Sequence, residues 1–552
     1  MRKIYLLLSA LLLCFCDAQA RKTKTEDDNS TLMLRLSIHN TRTEEAWNDM
    51  LSALRQAPGC CDEVWFSTGI SMPSMKVHEQ NAERLKRAKE TLRQMGIATS
   101  LQVQMTIGHG DDLGQTEDWT SKTWTGWTGS TGVEAKYCNC PRQPDYLEYV
   151  RLMSRIYAQV HPRTIWIDDD LRYDNHQPAT IDSRIGCWCQ TCVSAFGAQE
   201  QKAWTRESLN EAMANDPALE KRWQQFSIEA LQRVARIIAE ETHAVSPETR
   251  MGYQKTFIDD DTTVVKAVLQ TLYEVSGQKV RYRAGGGAYY DRYQPVEQIL
   301  KSMWAARFKS VLGSPDYVES WCPEVESYPR HYGSRTAQSV LLEGFAALAF
   351  GMDDVSMYVT DRGAESPDLK ARSMLCPLAD GAPVLRAYAR ANRGTQAVGF
   401  RSAIGLRSLF EFGLTTLPIL TGEGKNLAVL DEDALRRVSI YGQPSAKIQE
   451  YRNEISEKYT LPVLCQSPFV GQVFPRVTAD GALRTVGIIN CRIDEQGPIR
   501  LSLPALPKDT KKALWREMKK KSVRLKIFRD ENDTPYVVVP SIQAWNAGFL
   551  EF

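Results

Sequence analysis

Over the first 365 residues, short apolar runs alternate with helical patterns, and this alternation limits the fold more than any other feature of the sequence. It is typical of βα units, whose strands form a parallel sheet. The eight strand candidates are Met33–His39, Glu63–Thr68, Thr99–Met105, Thr164–Asp168, Met251–Thr256, Val280–Ala284, Tyr317–Glu326 and Asp354–Val359. Eight such units predict an α/β fold, a (β/α)8 TIM barrel with its active site at the carboxyl ends of the strands.

Two segments between the strands carry a clear helical period. Apolar residues recur every three or four positions in Glu79–Met95 and Asp145–Val160, which predicts amphipathic helices. Polar residues collect where the strands are predicted to end, and these positions are candidates for the site. They are His39, Asn40, His109, Asp111, residues 168–172, Gln254, Arg283, Glu324, Glu326 and Asp361.

The pattern changes beyond the barrel. Short alternating runs at Leu417–Thr421, Leu427–Leu430 and Asp433–Ile440 predict a small α/β domain. Alternating apolar runs at Val486–Ile489, Ile499–Leu503 and Tyr536–Val539 predict a C-terminal β-sandwich, in which only Lys508–Lys520 has helical character. The predicted domains are a barrel over residues 31–395, an amidotransferase-like α/β domain over 396–464 and the sandwich over 465–552.

The first twenty residues have the pattern of an export signal. Arg2 and Lys3 precede an apolar run that ends at Leu13, and residues 18–20 read Ala-Gln-Ala, a small-x-small cleavage site. A lipoprotein is the alternative, but the residues before Cys14 and Cys16 are bulky where that processing needs a small one. We therefore expect a signal peptide over residues 1–20 and a periplasmic or secreted protein.

The charge balance excludes some classes of partner. Lys and Arg number 68 against 67 Asp and Glu, so the chain lacks the basic excess that holds nucleic acid. After the leader, no stretch approaches the roughly 18 uncharged apolar residues of a membrane-spanning helix. We expect no nucleic-acid partner and no membrane span.

The most specific motif is a crowding of cysteines. Of 13 cysteines, 11 follow the leader, and five of these fall in two short segments: Cys138, Cys140, Cys187, Cys189 and Cys192. A C-x-C-x-x-C cluster with one more cysteine from an upstream loop supplies the ligands of a structural zinc site. Disulfides are the alternative in an exported protein. Zinc is favoured, because two cysteines separated by one residue are poorly placed to form a disulfide with each other.

Three consecutive aspartates, Asp168 to Asp170, end the fourth predicted strand. Adjacent carboxylates are costly unless cations, hydrogen bonds or shared protons compensate, which marks this strand end as a candidate site. Because a strand alternates faces, we expect Asp168 and Asp170 to point one way and Asp169 the other. A solvated acidic turn or a cation site is the alternative.

The seventh predicted strand ends with Glu324 and Glu326, which share a face by the period of two. Carboxylates from the fourth and seventh strands would face each other across the barrel mouth. Glycoside hydrolysis needs such a pair, one acid for the leaving oxygen and one nucleophile or base. Aromatic side chains near the mouth could stack on sugars or pack within loops. They are Trp119, Trp124, Trp127, Tyr289, Tyr290 and Trp321.

At these motifs the sequence resembles glycoside hydrolase family 42, the β-galactosidases of the clan A barrels. The resemblance rests on Cys140-Pro141 with Tyr146, Trp166–Asp170, Cys187–Cys192 with Ala195-Phe196, Phe345–Asp353 and Gly422–Val438. That family carries a C-P segment, an acid/base strand ending in Asp-Asn-Glu and a C-x-C-x-x-C-x-x-x-F zinc cluster.

Carried over position by position, the resemblance implies Asp170 as proton donor and Glu326 as nucleophile. The zinc ligands fall on Cys140, Cys187, Cys189 and Cys192. Asp170 stands where the family has Glu, and Asp169 where it has Asn, which implies a divergent relative with another sugar preference. Trimers are known in the family, so a homo-oligomer is an open expectation.

The sequence thus predicts an exported, retaining glycosidase that acts on oligo- or polysaccharides, with Asp170 as acid/base and Glu326 as nucleophile. An inverting route stays open, and so does Glu324 in place of Glu326. The candidate substrate-binding residues are Asp168, Asp169, Arg172, Glu324, His109, Trp321 and Arg283. No organic cofactor is expected.

Two hypotheses from other classes compete with this one. A barrel that lost its chemistry would bind carbohydrate without cleaving it, and a closed cleft with Asp170 or Glu326 bridged to Arg172 or Arg283 would favour it. A hydrolase that uses the aspartates as cation ligands is the other. The chain has no H-E-x-x-H or G-x-S-x-G motif, which argues against the common zinc peptidases and α/β-hydrolases.

Overall fold

A computed structural model gives the fold of the chain from residue 32 onward. It describes residues 32–104, 106–110, 122–173, 184–256, 262–287, 289, 291, 296–313, 315–330, 333–360, 365–398, 400–401, 419–420, 428–429 and 462–552. The predicted signal peptide lies outside these ranges, as do Asp111, Trp119, Tyr290, Asp361 and Asp433–Ile440.

Eight parallel strands close into a barrel. They are Leu32–Ser37, Glu63–Ser67, Ala98–Val103, Thr164–Ile167, Arg250–Thr256, Val280–Gly285, Val318–Glu326 and Val355–Tyr358. We number these the first to eighth barrel strands. Each pairs with the next along the chain, and the first pairs with the eighth, with Leu34 opposite Met357. The eight predicted strands are confirmed, with every end within two residues of its expected position.

Helices follow the barrel strands, and their buried apolar residues form one core cluster with those strands. They are Glu44–Gln56, Met75–Gln94, Pro144–Ala158, Gln190–Gln199, Arg206–Asn215, Pro217–Val245, Thr263–Ser276, Val296–Leu312, Ala337–Phe350, Pro367–Lys370 and Cys376–Asn392, with a 3-10 turn at Ile38–Thr41 and a π turn at Ala371–Leu375. Residues 337–350 are apolar on nearly all sides, because this helix is buried between the barrel and the C-terminal sheets. Its Phe350 ring packs on Phe474 of those sheets at 5.1 Å.

Side chains inside the barrel are arranged in layers. At the amino ends of the strands, Glu63 and Arg281 form a buried ion pair at 3.0 Å. The next layer is apolar, with Met33, Trp65, Trp166 and Cys322. The two tryptophan rings lie 4.4 Å apart. This apolar layer separates the structural ion pair from the polar carboxyl end, where the candidate site lies.

The remaining described strands form one small parallel sheet and two antiparallel sheets. Phe400–Arg401, Ile419–Leu420 and Ala428–Val429 form a three-stranded parallel sheet. One antiparallel sheet contains Gln396–Ala397, Gly471–Val477, Leu483–Asn490, Ala547–Glu551, Lys512–Glu517 and Val523–Lys526. The other contains Leu464–Cys465, Ile499–Ser502, Pro535–Val539 and Phe528–Arg529. An apolar core lies between these two sheets.

The helical character expected of Lys508–Lys520 is wrong. Residues 512–517 form a strand of the sandwich, in which Ala513, Trp515 and Glu517 are buried and alternate with more exposed neighbours. This period of two fits a sheet face, and the packing of Trp515 in the sandwich core outweighs the helix propensity of the flanking lysines.

Among the residues that the structure describes, no helix combines the length and the apolar character needed to cross a membrane.

Candidate active site and cysteine cluster

The three aspartates lie in a turn directly after the fourth barrel strand. The strand ends at Ile167, and the N–H of Leu171 donates to the carbonyl of Asp168 at 3.3 Å. The alternation of faces that we expected therefore does not extend through them, because the chain has already left the strand. Each aspartate is buried and meets a different basic partner.

Asp168 lies between two arginines of the barrel wall. Its carboxylate is 3.7 Å from Arg35 of the first strand and 3.5 Å from Arg283 of the sixth. Burial and the neighbouring Asp169 raise the pKa of Asp168 to about 6, although both guanidinium groups act in the opposite direction. This carboxyl therefore changes its charge just below neutral pH.

Asp169 is paired with Arg172 at 3.5 Å. Its N–H donates to the carboxylate of Asp168 at 2.9 Å, which fixes the turn. Burial works against its ionisation, but Arg172, Arg283 and His109 together lower the pKa of Asp169.

Asp170 is fully buried, and its Oδ1 lies 2.7 Å from Nδ1 of His109. His109 follows the third strand, and its side chain keeps 22% of its surface exposed. Burial lowers the pKa of this imidazole, but the charge and hydrogen bond of Asp170 prevail and raise it to about 9. Between Asp170 and His109, the histidine is the one in contact with solvent.

A glycine fixes the approach to His109. Gly108 has a φ of +140°, and a Cβ there would lie 2.4 Å from the carbonyl oxygen of Tyr137. Only a residue without a side chain lets the two segments come this close. The position of His109 therefore depends on the hairpin Gly126–Thr128 and Glu134–Asn139, which carries Tyr137.

Glu324 of the seventh strand is held from several directions. Arg283 donates to its Oε1, while the N–H of Gly286 and the hydroxyl of Tyr289 donate to Oε2 at 3.0 and 3.2 Å. A Cβ on Gly285 would lie only 3.0 Å from Oε2, so the sixth strand ends in glycine where its backbone approaches this carboxylate. Both oxygens of Glu324 are thus occupied by donors of the protein.

Glu326 has fewer partners among the described residues. Arg330 donates to its Oε1 at 2.5 Å, and Arg35 lies 4.0 Å from its Oε2. The guanidinium of Arg330 also stacks on the ring of Tyr358, 3.8 Å from its centroid. Glu324 and Glu326 both face the barrel interior, as the period of two predicted.

Arg35 lies between the aspartates after the fourth strand and the glutamates of the seventh. It was not among the residues predicted from the sequence. The same guanidinium lies within 4.0 Å of Asp168, Glu324 and Glu326. Carboxylates of the fourth and seventh strands therefore meet around one cation at the carboxyl end of the barrel. A signal was present, since Arg35 is the one charge in the apolar strand Leu32–Ser37. Arg330 and Tyr358 carried no comparable signal.

Several predicted site residues lie elsewhere. Trp321 is buried on the outer face of the seventh strand, against Tyr282 and Lys309, and the structure does not bring it to the mouth. Trp124 packs on Tyr146, and Trp127 is buried with its N–H donating to Gly186. Trp124 and Trp127 pack within the protein as the alternative expected, and Trp321 packs between the barrel and a covering helix. Tyr289 alone of the described aromatic candidates contacts a site carboxylate.

Four cysteines form a second cluster, separate from the carboxylates. The thiols of Cys140, Cys187, Cys189 and Cys192 are buried and lie within 4.8 Å of one another. The sulfur of Cys140 is 3.4 Å from that of Cys192 and 3.5 Å from that of Cys189. Four convergent thiols could bind one metal ion, as the spacing predicted.

The fold matches solved glycosidase structures over nearly the whole chain. An α-L-fucosidase isoenzyme from Paenibacillus thiaminolyticus superposes with a TM-score of 0.57 at 9% identity, over 95% of this chain and 100% of that one. A β-galactosidase from Rahnella sp. R3 gives 0.55 at 11% identity, over 94% and 99%. A catalytic mutant of a GH42 β-galactosidase from G. stearothermophilus gives 0.54 at 9% identity, over 94% and 98%. No protein-family model and no curated protein matches the sequence.

The chain therefore has the glycosidase-like fold that these β-galactosidases share: a closed parallel barrel followed by further sheets. The predicted resemblance to family 42 is confirmed at the level of fold. The identities in these comparisons are 9 to 11%, so the likeness extends to the fold.

Proposed function

We propose that the protein is an exported glycoside hydrolase that cleaves O-glycosidic bonds of oligo- or polysaccharides with the carboxyl groups of Glu326 and Asp170, of which Asp170 acts through His109. The observation that carries this proposal is the meeting of fourth- and seventh-strand carboxylates around Arg35. They lie at the end of a barrel where such folds hold their active sites. The apolar run after Arg2 and Lys3 supports export to the periplasm or the medium.

Glu326 is the nucleophile of this proposal. A nucleophilic carboxylate must be ionised and must keep one oxygen available to the anomeric carbon. Among the described residues, Glu326 accepts a short hydrogen bond only at Oε1, from Arg330, while Arg35 lies 4.0 Å from Oε2. Glu324 fits a positioning role better, because Arg283, Gly286 and Tyr289 occupy both of its oxygens.

Asp170 and His109 form the acid/base unit. Asp170 is sealed from solvent, so it acts on substrate through the imidazole that it orients. His109 donates a proton to the leaving oxygen while Glu326 attacks, and it then accepts a proton from the water that releases the sugar. Asp168 and Asp169 add negative charge that keeps the imidazole protonated at neutral pH.

Zinc is the metal that suits the cysteine cluster. Thiolates are ligands that zinc prefers, and a tetrahedral four-sulfur site is closed and structural. The ligands would be Cys140, Cys187, Cys189 and Cys192, all buried. Such an ion would join the loop after the hairpin to the helix Gln190–Gln199 and take no part in the reaction.

The pH dependence of the reaction follows from two groups. His109 is protonated below about pH 9, and Asp168 is ionised above about pH 6. We expect kcat/KM to fall below pH 6, where Asp168 loses its charge, and above pH 9, where His109 loses its proton. In His109→Asn kcat/KM should fall by about 10²- to 10⁴-fold, because the amide does not transfer the proton, and the alkaline fall should be absent from the residual rate. An unchanged alkaline limb in this variant would contradict the role of His109.

The proposal is tested by incubating the mature protein with a panel of aryl glycosides and plant or mucin oligosaccharides. We expect turnover of one sugar class, and NMR of the first product should show retained anomeric configuration. Binding of sugars without turnover across the panel would instead favour a carbohydrate-binding protein. Turnover that is lost on treatment with a chelator, with the four-cysteine site still loaded, would favour a cation held by the aspartates.

A further inference from the structure

The seventh barrel strand continues past the end of its pairing with the sixth strand. Pairing with the sixth strand ends at Ala284 opposite Pro323, whereas pairing with the eighth continues to Tyr358 opposite Glu326. On the side of the sixth strand, the ladder does not continue beyond Pro323 among the described residues.

The end of this ladder affects the backbone carbonyls of Glu324 and Glu326. In a parallel sheet, successive residues direct their N–H and C=O groups to opposite neighbours. The N–H of Ser327 donates to Tyr358 of the eighth strand at 3.0 Å, so odd positions face that strand. The carbonyls of Glu324 and Glu326 face the side where the sixth strand has ended. Buried carbonyls without a donor are costly, so this end of the strand needs substitutes for the ladder.

Two buried cations supply those hydrogen bonds. Nζ of Lys301, on the helix Val296–Leu312, donates to the carbonyl oxygen of Glu324. Nη1 of Arg335 donates to the carbonyl oxygen of Glu326 at 3.0 Å. Lys301 keeps 6% of its surface exposed and Arg335 1%, so neither charge is solvated by bulk water.

One carboxylate holds both cations. Glu343, on the helix Ala337–Phe350, is fully buried, and its Oε1 lies 3.1 Å from Nζ of Lys301. Its Oε2 accepts a hydrogen bond from Nη2 of Arg335. The Nε of Arg335 donates to Ser339 on the same helix at 2.9 Å, which fixes the plane of the guanidinium. A charged partner is required here, because two unpaired buried cations would repel each other.

We propose that Glu343, through Lys301 and Arg335, is a positioning residue that sets the place of the Glu324 and Glu326 carboxylates. It touches neither carboxylate. It acts on the backbone from which both side chains extend. The proposal rests on the proposed glycosidase function for its effect on turnover, while its effect on the seventh strand is independent of that function.

The experiment compares Glu343→Gln with a matched variant, Glu63→Gln. Glu63 is also fully buried and also bound to an arginine, Arg281, but it lies at the amino end of the barrel below the apolar layer. Each substitution removes one buried negative charge while keeping the size of the side chain. A purely structural role of Glu343 would therefore give both variants the same behaviour.

We expect both variants to lower the Tm, but only Glu343→Gln to displace the carboxylates of Glu324 and Glu326 in its crystal structure. Its kcat should fall by about 100-fold with KM within threefold of the parent, because a displacement near 1 Å has effects of this size. Glu63→Gln should keep kcat within about twofold. Unmoved carboxylates in Glu343→Gln, or equal kcat in the two variants, would overturn the proposal.

A second variant covers the case in which Glu343→Gln does not fold. Lys301→Met removes the donor to Glu324 but leaves Arg335 on Glu326. We expect its crystal structure to show Glu324 displaced and Glu326 in place, and both glutamates in place would refute the proposal. If the parent protein turns over no sugar, the proposed function fails, and the crystal structures still decide whether Glu343 positions the strand.

Discussion

Replacing Glu326 by glutamine should lower kcat by at least about 10³-fold in protein that remains folded. Glutamine keeps the size of the side chain but cannot form the glycosyl ester of a retaining reaction, and loss of a nucleophile has effects of this size or larger. The measurement is the steady-state rate on the sugar found in the panel, with thermal unfolding in parallel.

Glu324→Gln is the matched control for this prediction, since both residues lie on the same face of the seventh strand. Adding azide to alanine variants separates their roles, because azide enters the space left by a nucleophile and attacks the anomeric carbon. We expect azide to restore turnover and yield a glycosyl azide in Glu326→Ala only. Rescue of Glu324→Ala in its place would move the nucleophile to Glu324.

The second large effect concerns the cysteine cluster. We expect one zinc ion per chain by elemental analysis, and a fall in Tm of more than about 10 °C in Cys189→Ser. A structural zinc site contributes its binding free energy to folding. The variant keeps three buried thiols but does not hold the ion, so it loses this contribution. The reaction itself should continue in the fraction that stays folded.

Cys138→Ser is a local control for this effect. Cys138 is buried like the cluster and lies two residues from Cys140, yet it is not one of the four convergent thiols. Its substitution should leave the zinc content at one per chain. Protein that lacks metal and contains disulfides among the four cysteines would show that the alternative pairing is right.

The barrel could be predicted because its signal is local. Each buried parallel strand is a short apolar run, and each covering helix repeats its apolar residues every three or four positions, so eight units are visible without any long-range contact. The strand at Lys512–Glu517 was missed for the opposite reason. It pairs with the nearby Val523–Lys526 and also with Ala547–Glu551, about 30 residues further along the chain, and the second pairing places it inside the sheet.

The candidate site was predicted in part. Asp168 to Asp170, Glu324 and Glu326 were visible as charges at strand ends, and period two correctly placed both glutamates on one face. Several partners were not visible, because His109, Arg35 and Arg283 reach the carboxylates from other strands and loops. Arg172 and Arg330 are local partners, three residues after Asp169 and four residues after Glu326. Which oxygens are occupied depends on those partners and not on the motif.

The sequence by itself determined the repeating βα architecture, the four-cysteine cluster and the carboxylates of the fourth and seventh strands, because spacing along the chain encodes each of them. Only the tertiary structure decided that Arg35 joins the two carboxylate groups, that His109 covers Asp170, and that Glu343 fixes the seventh strand through Lys301 and Arg335. Those contacts join residues distant in sequence, and burial makes their charges interact strongly, so their energies exist only once the barrel has closed.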